Sequence, residues 1–214
     1  MLLHNPPNFG IYFGGVKDDL HPEEYLSLPP QTNLLEYPLF THLKKTMRLD
    51  DLVFLRQTHG IQGRVVAKDN FKSIVPFKGE GDYLMTQMQH VGLGVMTADC
   101  LPVVFYDTRH NAIAIAHAGW KGSAAGIAKT VFEQMQKEFG TQLDYIKIFF
   151  GPSAKSCCYE VNAVFAKELE AYPFAQEVFI EQGNKLFFDL PKFNRLLLES
   201  IGVRKGSFRF QYNL

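Results

Sequence analysis

A chain of 214 residues, 46% hydrophobic and 21% charged, is long enough to bury a sizeable core as one domain. Its 22 basic and 22 acidic residues cancel, which denies it the net positive charge that nucleic acid or an anionic membrane surface rewards. No apolar run reaches the ~20 residues of a membrane-spanning helix. The opening "MLLHNPPNFG" lacks the charged and apolar regions of a secretion signal. Three cysteines, two of them neighbours (Cys157, Cys158), make no disulfide framework, so a reducing cytoplasm is the expected compartment.

Residues 1–50 are dense in proline and turn residues, as in "HPEEYLSLPPQTNLLEYP", and resist assignment. From there "DLVFLRQTH" and "QGRVVAK" predict two strands joined at a Gly60 turn. "GD" at Gly81–Asp82 predicts a turn before "YLMT". "VGLGVMTA", "LPVVFYD" and "NAIAIAHA" predict three further strands of a largely buried sheet. "KGSAAGIAKTVFEQMQKEFG" shifts to helical period, with Ala124, Ala128, Val131, Met135 and Phe139 on one face and Gly140 as C-cap. "YIKIFFGP" predicts a strand and "VNAVFAKELEAY" a helix. "LFFDLPKFNRLLLESIGV" predicts a strand followed by a helix with Pro191 in its first turn. Without regular βαβ alternation, this mixture predicts an α+β fold of mixed sheets flanked by helices.

Three chemically able side chains sit where predicted elements end: His59 in "RQTHG", Cys100 in "TADC" and His117 in "HAGWKG". Ends of strands are where side chains converge on a pocket. One thiolate and two imidazoles form a set that suits zinc and leaves a fourth position open for water or substrate. Two other readings fit the same residues. Cys100 can be a nucleophile with His117 as its base, or a small core residue beside hydrogen-bonded histidines. Asp99 is either an acid–base group or the carboxylate that orients a ligand. Lys121 is either an anion contact or a solvated charge, and Trp120 either stacks on a base or packs in the core. Cys157 and Cys158 read as packing, because neighbours in extended backbone point away from each other.

The segments "RQTHG", "GDYLMT", "GVMTADCLPVVFYD", "IAIAHAGWKGSAAGI" and "GPSAKSCCYEV", in this order between about residues 50 and 203, resemble the laccase-domain (YfiH-like) proteins. That family was first labelled multicopper polyphenol oxidoreductase and is now understood as zinc-dependent purine nucleoside phosphorylases. The resemblance implies a single domain over 1–214, divergent over 1–50, with a fold like that of the deamidating bacterial toxins. It implies that His59, Cys100 and His117 bind zinc, with copper the alternative in the older naming. It further implies phosphorolysis of adenosine, inosine, guanosine and methylthioadenosine, with adenosine deamination as a side activity. Cys100, His117 and Asp99 would then be catalytic, and Lys121, Trp120 and Arg56 would meet a purine nucleoside and phosphate. Multicopper chemistry draws on His-x-His pairs, and none occurs among the seven histidines.

The chain departs from the family pattern in its arginines. Tyr12 in "IYFGGVKD" stands where an arginine is expected, the next segment lacks an asparagine–arginine pair, and "FRFQYNL" ends before the family's last arginine-bearing segment. Arg56, Lys17, Lys44, Lys45 and Arg209 are the cations left to hold an anion. A non-catalytic descendant that binds a nucleotide or a partner protein is therefore the alternative of a different class, and metal-free cysteine hydrolysis a weaker one.

Overall fold

A computed structural model describes residues 2–5, 9–14, 36, 38–74 and 77–210. Among the described residues thirteen strands run in chain order: β1 (Leu2–Asn5), β2 (Phe9–Tyr12), β3 (Asp51–Phe54), β4 (Gly63–Val66), β5 (Tyr83–Thr86), β6 (Val91–Gly94), β7 (Leu101–Asp107), β8 (Ala112–Ala118), β9 (Ile146–Phe150), β10 (Glu160–Val161), β11 (Phe179–Gln182), β12 (Lys185–Phe188) and β13 (Phe208–Phe210). Five α-helices accompany them among the described residues: α1 (Pro38–Met47), α2 (Trp120–Ala124), α3 (Ile127–Phe139), α4 (Ala163–Glu168) and α5 (Leu190–Ser200). No described helix is long and apolar enough to cross a membrane.

The centre is a six-stranded mixed sheet of order β13-β9-β7-β8-β5-β4. β7 is buried over its whole length because both of its faces are covered. Leu101, Val103 and Phe105 join the core with α3 and α5, while Val104 and Tyr106 pack with Phe9 and Ile11 of β2. Alternation along a strand produces that split, and it explains why "LPVVFYD" reads as an unbroken apolar run. β8 presents Ala112, Ala114, Ala116 and Ala118, all buried in the same cluster, to the helical side. Methyl side chains there let α3 approach closely with Ile127, Val131 and Met135. Phe105 is fully buried between the layers. Phe105→Ala is expected to lower the denaturant midpoint by the equivalent of about 3–5 kcal/mol, the usual cost of such a cavity.

The α+β expectation holds, and β7, β8, β9, β12 and α5 lie where the pattern puts them, with Pro191 in the first turn of α5. Two expectations do not hold. β3 and β4 form no hairpin: β3 pairs in parallel with β6, and β4 in parallel with β5. The intervening residues are a loop that crosses between sheets. The single helix expected after His117 is two helices, because Gly126 turns left-handed (φ 87°) and breaks the pattern between α2 and α3.

Candidate metal centre

Strand register brings one end of the central sheet together. β7 and β8 are antiparallel with Leu101 opposite Ala118, so Cys100, just before one strand, adjoins Gly119, just after the other. β5 is antiparallel to β8 with Tyr83 opposite Ala116, which sets Asp82 against His117. β4 runs parallel to β5 from the same edge, and the Asp82 N–H donates to the Gln62 carbonyl at 2.7 Å. The loop carrying His59 thus lies beside residues 82, 100 and 117.

The ligand atoms of His59, Cys100 and His117 lie within 4.8 Å of one another. The two imidazoles meet edge to face, centroids 4.7 Å apart. His117 is buried, Cys100 half-buried and His59 exposed, so the cluster opens to solvent on one side. Gly119 closes its floor. A Cβ there would stand 3.0 Å from the Cys100 Sγ and 3.0 Å from the His59 ring. Gly119→Ala is expected to weaken metal binding on the order of ten- to hundredfold, because overpacking by a methyl costs about 1–3 kcal/mol. Competition with a chromophoric chelator reads that loss.

Asp82 organises the cluster. Its carboxylate accepts from the His117 Nδ1 at 2.9 Å, the His59 N–H at 2.9 Å and the Gly60 N–H at 2.8 Å. It also accepts from the Thr58 hydroxyl at 2.9 Å and the Thr58 N–H at 3.2 Å. Burial alone would push this carboxyl up, but the bonds from His117, Gly60 and Thr58 hold it down at about 2. Burial likewise works against a charged His117. The Asp82 bond and the neighbouring Cys100 overcome it and lift the imidazole to about 9 in the metal-free chain. The same grip fixes His59 in left-handed backbone, φ 61°. Gln57 adds a latch, its amide donating to the Met96 carbonyl at 2.7 Å and accepting from the Met96 N–H at 2.8 Å. The His59 loop is thereby tied to the segment that leads to Cys100.

The other expected residues are distributed unevenly. Asp99 stands exposed beside Cys100 with φ 72°, its carbonyl accepting from the Ala154 N–H at 2.8 Å. The carboxylate bonded to the His117 ring nitrogen is Asp82, which reads in the sequence as part of a turn. Trp120 is half-buried with its ring against Phe165, centroids 5.1 Å apart, and the exposed Lys121 ammonium lies 5.6 Å over that ring. Arg56 is exposed and ion-paired with Glu80. Lys44 on α1 lies 3.9 Å from Asp51, and Arg209 donates to the Gly206 and Phe208 carbonyls. Lys17 falls outside the described residues. Cys157 and Cys158 are exposed, so they do not pack in the core, and they are not part of the cluster. Tyr159 went unnoticed in the sequence. Burial first, then the charges of Cys100 and Asp99, push its hydroxyl up.

A family model described as "Multi-copper polyphenol oxidoreductase laccase" matches residues 40–211. A purine nucleoside phosphorylase of Clostridium acetobutylicum is 36% identical over 129 residues, 60% of this chain and 52% of that protein. The adenosine deaminase RL5, from an unknown prokaryotic organism, is 34% identical over 163 residues, 72% of this chain and 62% of that protein. The chain thus spans between half and two thirds of the length of these relatives. The crystal structure of the hypothetical protein YfiH from Bacillus licheniformis superposes with a TM-score of 0.72 at 28% identity, covering 79% of this chain and 67% of that one.

Proposed function

The chain belongs to the multi-copper polyphenol oxidoreductase laccase family, and on that premise we propose that it is a zinc-dependent purine nucleoside phosphorylase. The observation that carries this reading is the convergence of one thiol and two imidazoles within 4.8 Å. The donor set fits a borderline-soft divalent ion with a fourth position left open. The Cβ-free floor at Gly119 and the Asp82–His117 hydrogen bond are what such a site requires around its ligands.

His59, Cys100 and His117 would hold the ion. When bound, it supplies a Lewis acid and a positive charge for an anionic or oxygen-bearing substrate group. Asp82 keeps the proton of His117 on Nδ1, so Nε2 is the nitrogen left for the ion. Exposed Asp99, at the rim, is the group assigned to exchange a proton with the departing purine as phosphate takes its place on the ribose anomeric carbon. Lys121 is assigned to the phosphate and Trp120 to the base. Arg56 reaches an anion only by exchanging its Glu80 partner for it. The products are free purine and ribose 1-phosphate. A second reading, deamination of adenosine by water at purine C6, is favoured by the relative named adenosine deaminase.

Elemental analysis paired with chromatography of inosine and adenosine digests tests both. Zinc stoichiometric with the chain and base release that requires phosphate are the expected results. Ammonia without base release supports the second reading, and neither product from metal-replete protein sinks both.

A further inference from the structure

Cys157 and Cys158 serve neither the core nor the proposed reaction. They are consecutive in the turn between β9 and β10, both exposed, with their sulfur atoms 3.3 Å apart and the Cys157 thiol donating to the Cys158 sulfur. Lys155 shapes that turn. Its carbonyl accepts from the N–H groups of Cys158 at 3.0 Å and Tyr159 at 2.8 Å, and lies 3.7 Å from the Cys158 Sγ. Two thiols therefore stand side by side facing water, held in one tight turn.

We propose that Cys157 and Cys158 form a reversible redox modification site, oxidised by hydroperoxides to a disulfide between neighbours. The Cys158 thiolate attacks the peroxide; an S–O bond forms, the O–O bond breaks, and the alkoxide or hydroxide leaves and takes a proton from water. The Cys157 sulfur then attacks the resulting sulfenic acid; the S–S bond forms, the S–O bond breaks, and the oxygen departs as water with the Cys157 proton. In sum, two thiols and one hydroperoxide give one disulfide, one water and one alcohol (a second water from hydrogen peroxide), with two electrons passing from sulfur to oxygen.

The turn assigns the two roles. Hydrogen bonding at the Lys155 backbone and from Cys157 draws the Cys158 thiol below its ordinary range, while the bond to Cys158 raises that of Cys157. An exposed thiol inclined to ionise, with a partner poised to resolve it, is the arrangement that reacts with peroxide. Consecutive Cα atoms are about 3.8 Å apart, short of the ~4.4 Å at which unstrained disulfides begin. The bridge is accordingly strained and easily reduced, a mark that can be erased rather than a staple. It forms on the loop that Ala154 ties to Asp99, and Cys100 stays free for the ion.

Metal-replete protein treated with hydrogen peroxide, then alkylated and digested with trypsin, reads the event directly. Residues 156–167 form one tryptic peptide that carries both cysteines and excludes Cys100. The expected product is that peptide two hydrogens lighter, unalkylated, and restored by dithiothreitol. Cys157→Ser is expected to lose the reversible product and to accumulate oxygen adducts on Cys158 instead. Full alkylation of both thiols at a peroxide dose that consumes free glutathione overturns the proposal. So does a wild-type peptide carrying only irreversible oxygen adducts, or a bridge that joins two chains.

Discussion

Asp82→Asn, assayed by chelator competition at pH 9, is expected to bind the proposed metal about 10–100-fold more weakly than the wild type, the range seen when a ligand's supporting carboxylate is lost. The pH matters because Asp82 has two opposed effects. It orients His117 for the ion, and it also stabilises the imidazolium that must shed a proton before the ion can bind. His117 is lifted to about 9 in the folded chain, above the ordinary imidazole value of 6.5. The charged form therefore stabilises the metal-free fold below pH 6.5, and that contribution is lost as pH rises through 9. Wild-type metal affinity accordingly climbs by up to about tenfold per pH unit across this window from the His117 proton. In Asp82→Asn the climb moves to lower pH, so the gap between the two proteins narrows toward neutrality. A gap that stays constant from pH 7 to 9 would refute the imidazolium–carboxylate account. Asp82→Ala goes further, because it releases Thr58, His59 and Gly60 together. It is expected to cost about 3–5 kcal/mol of stability, as removal of one partner from a buried charged pair does.

Under the proposed function, Cys100→Ser is expected to remove both the metal and base release, with kcat/KM falling at least about a thousandfold, on the order of 4 kcal/mol of transition-state stabilisation. Far-ultraviolet circular dichroism should match the wild type, since Cys100 is half-buried just before β7. Metal content is the discriminating measurement. A cysteine acting as nucleophile would lose activity with the metal retained, whereas a ligand loses both together. Cys157→Ser and Cys158→Ser serve as controls that keep both.

What the sequence made legible was whatever depends on short-range pattern. β7 and β8 announced themselves through branched and small apolar runs, and Pro191 and Gly140 marked helix ends at their true places. His59, Cys100 and His117 were visible as reactive side chains beside strand ends. Asp82 was not, because its role depends on register: only the pairing of Tyr83 with Ala116 sets it against His117. An aspartate before an apolar run looks the same whether it turns the chain or grips an imidazole. The hairpin expected from β3 and β4 failed for a related reason. Strand pattern specifies which residues extend, while the choice between an antiparallel neighbour and a parallel partner far along the chain is made by the whole sheet. The long helix failed at one residue, Gly126, whose left-handed backbone no hydrophobic period reports.

His117 rides on a strand at the heart of the sheet and Cys100 adjoins one, whereas the 57–60 stretch that carries His59 hangs on hydrogen bonds to the Asp82 carboxylate and through the Gln57 amide. Exchange of a bound ion with bulk solvent is therefore expected to need only the 57–60 segment to swing away, while the apolar contacts between the central sheet and its helices stay closed. Loading and stripping should proceed on the timescale of a loop, leaving the slowest amide protons of β7 and β8 undisturbed.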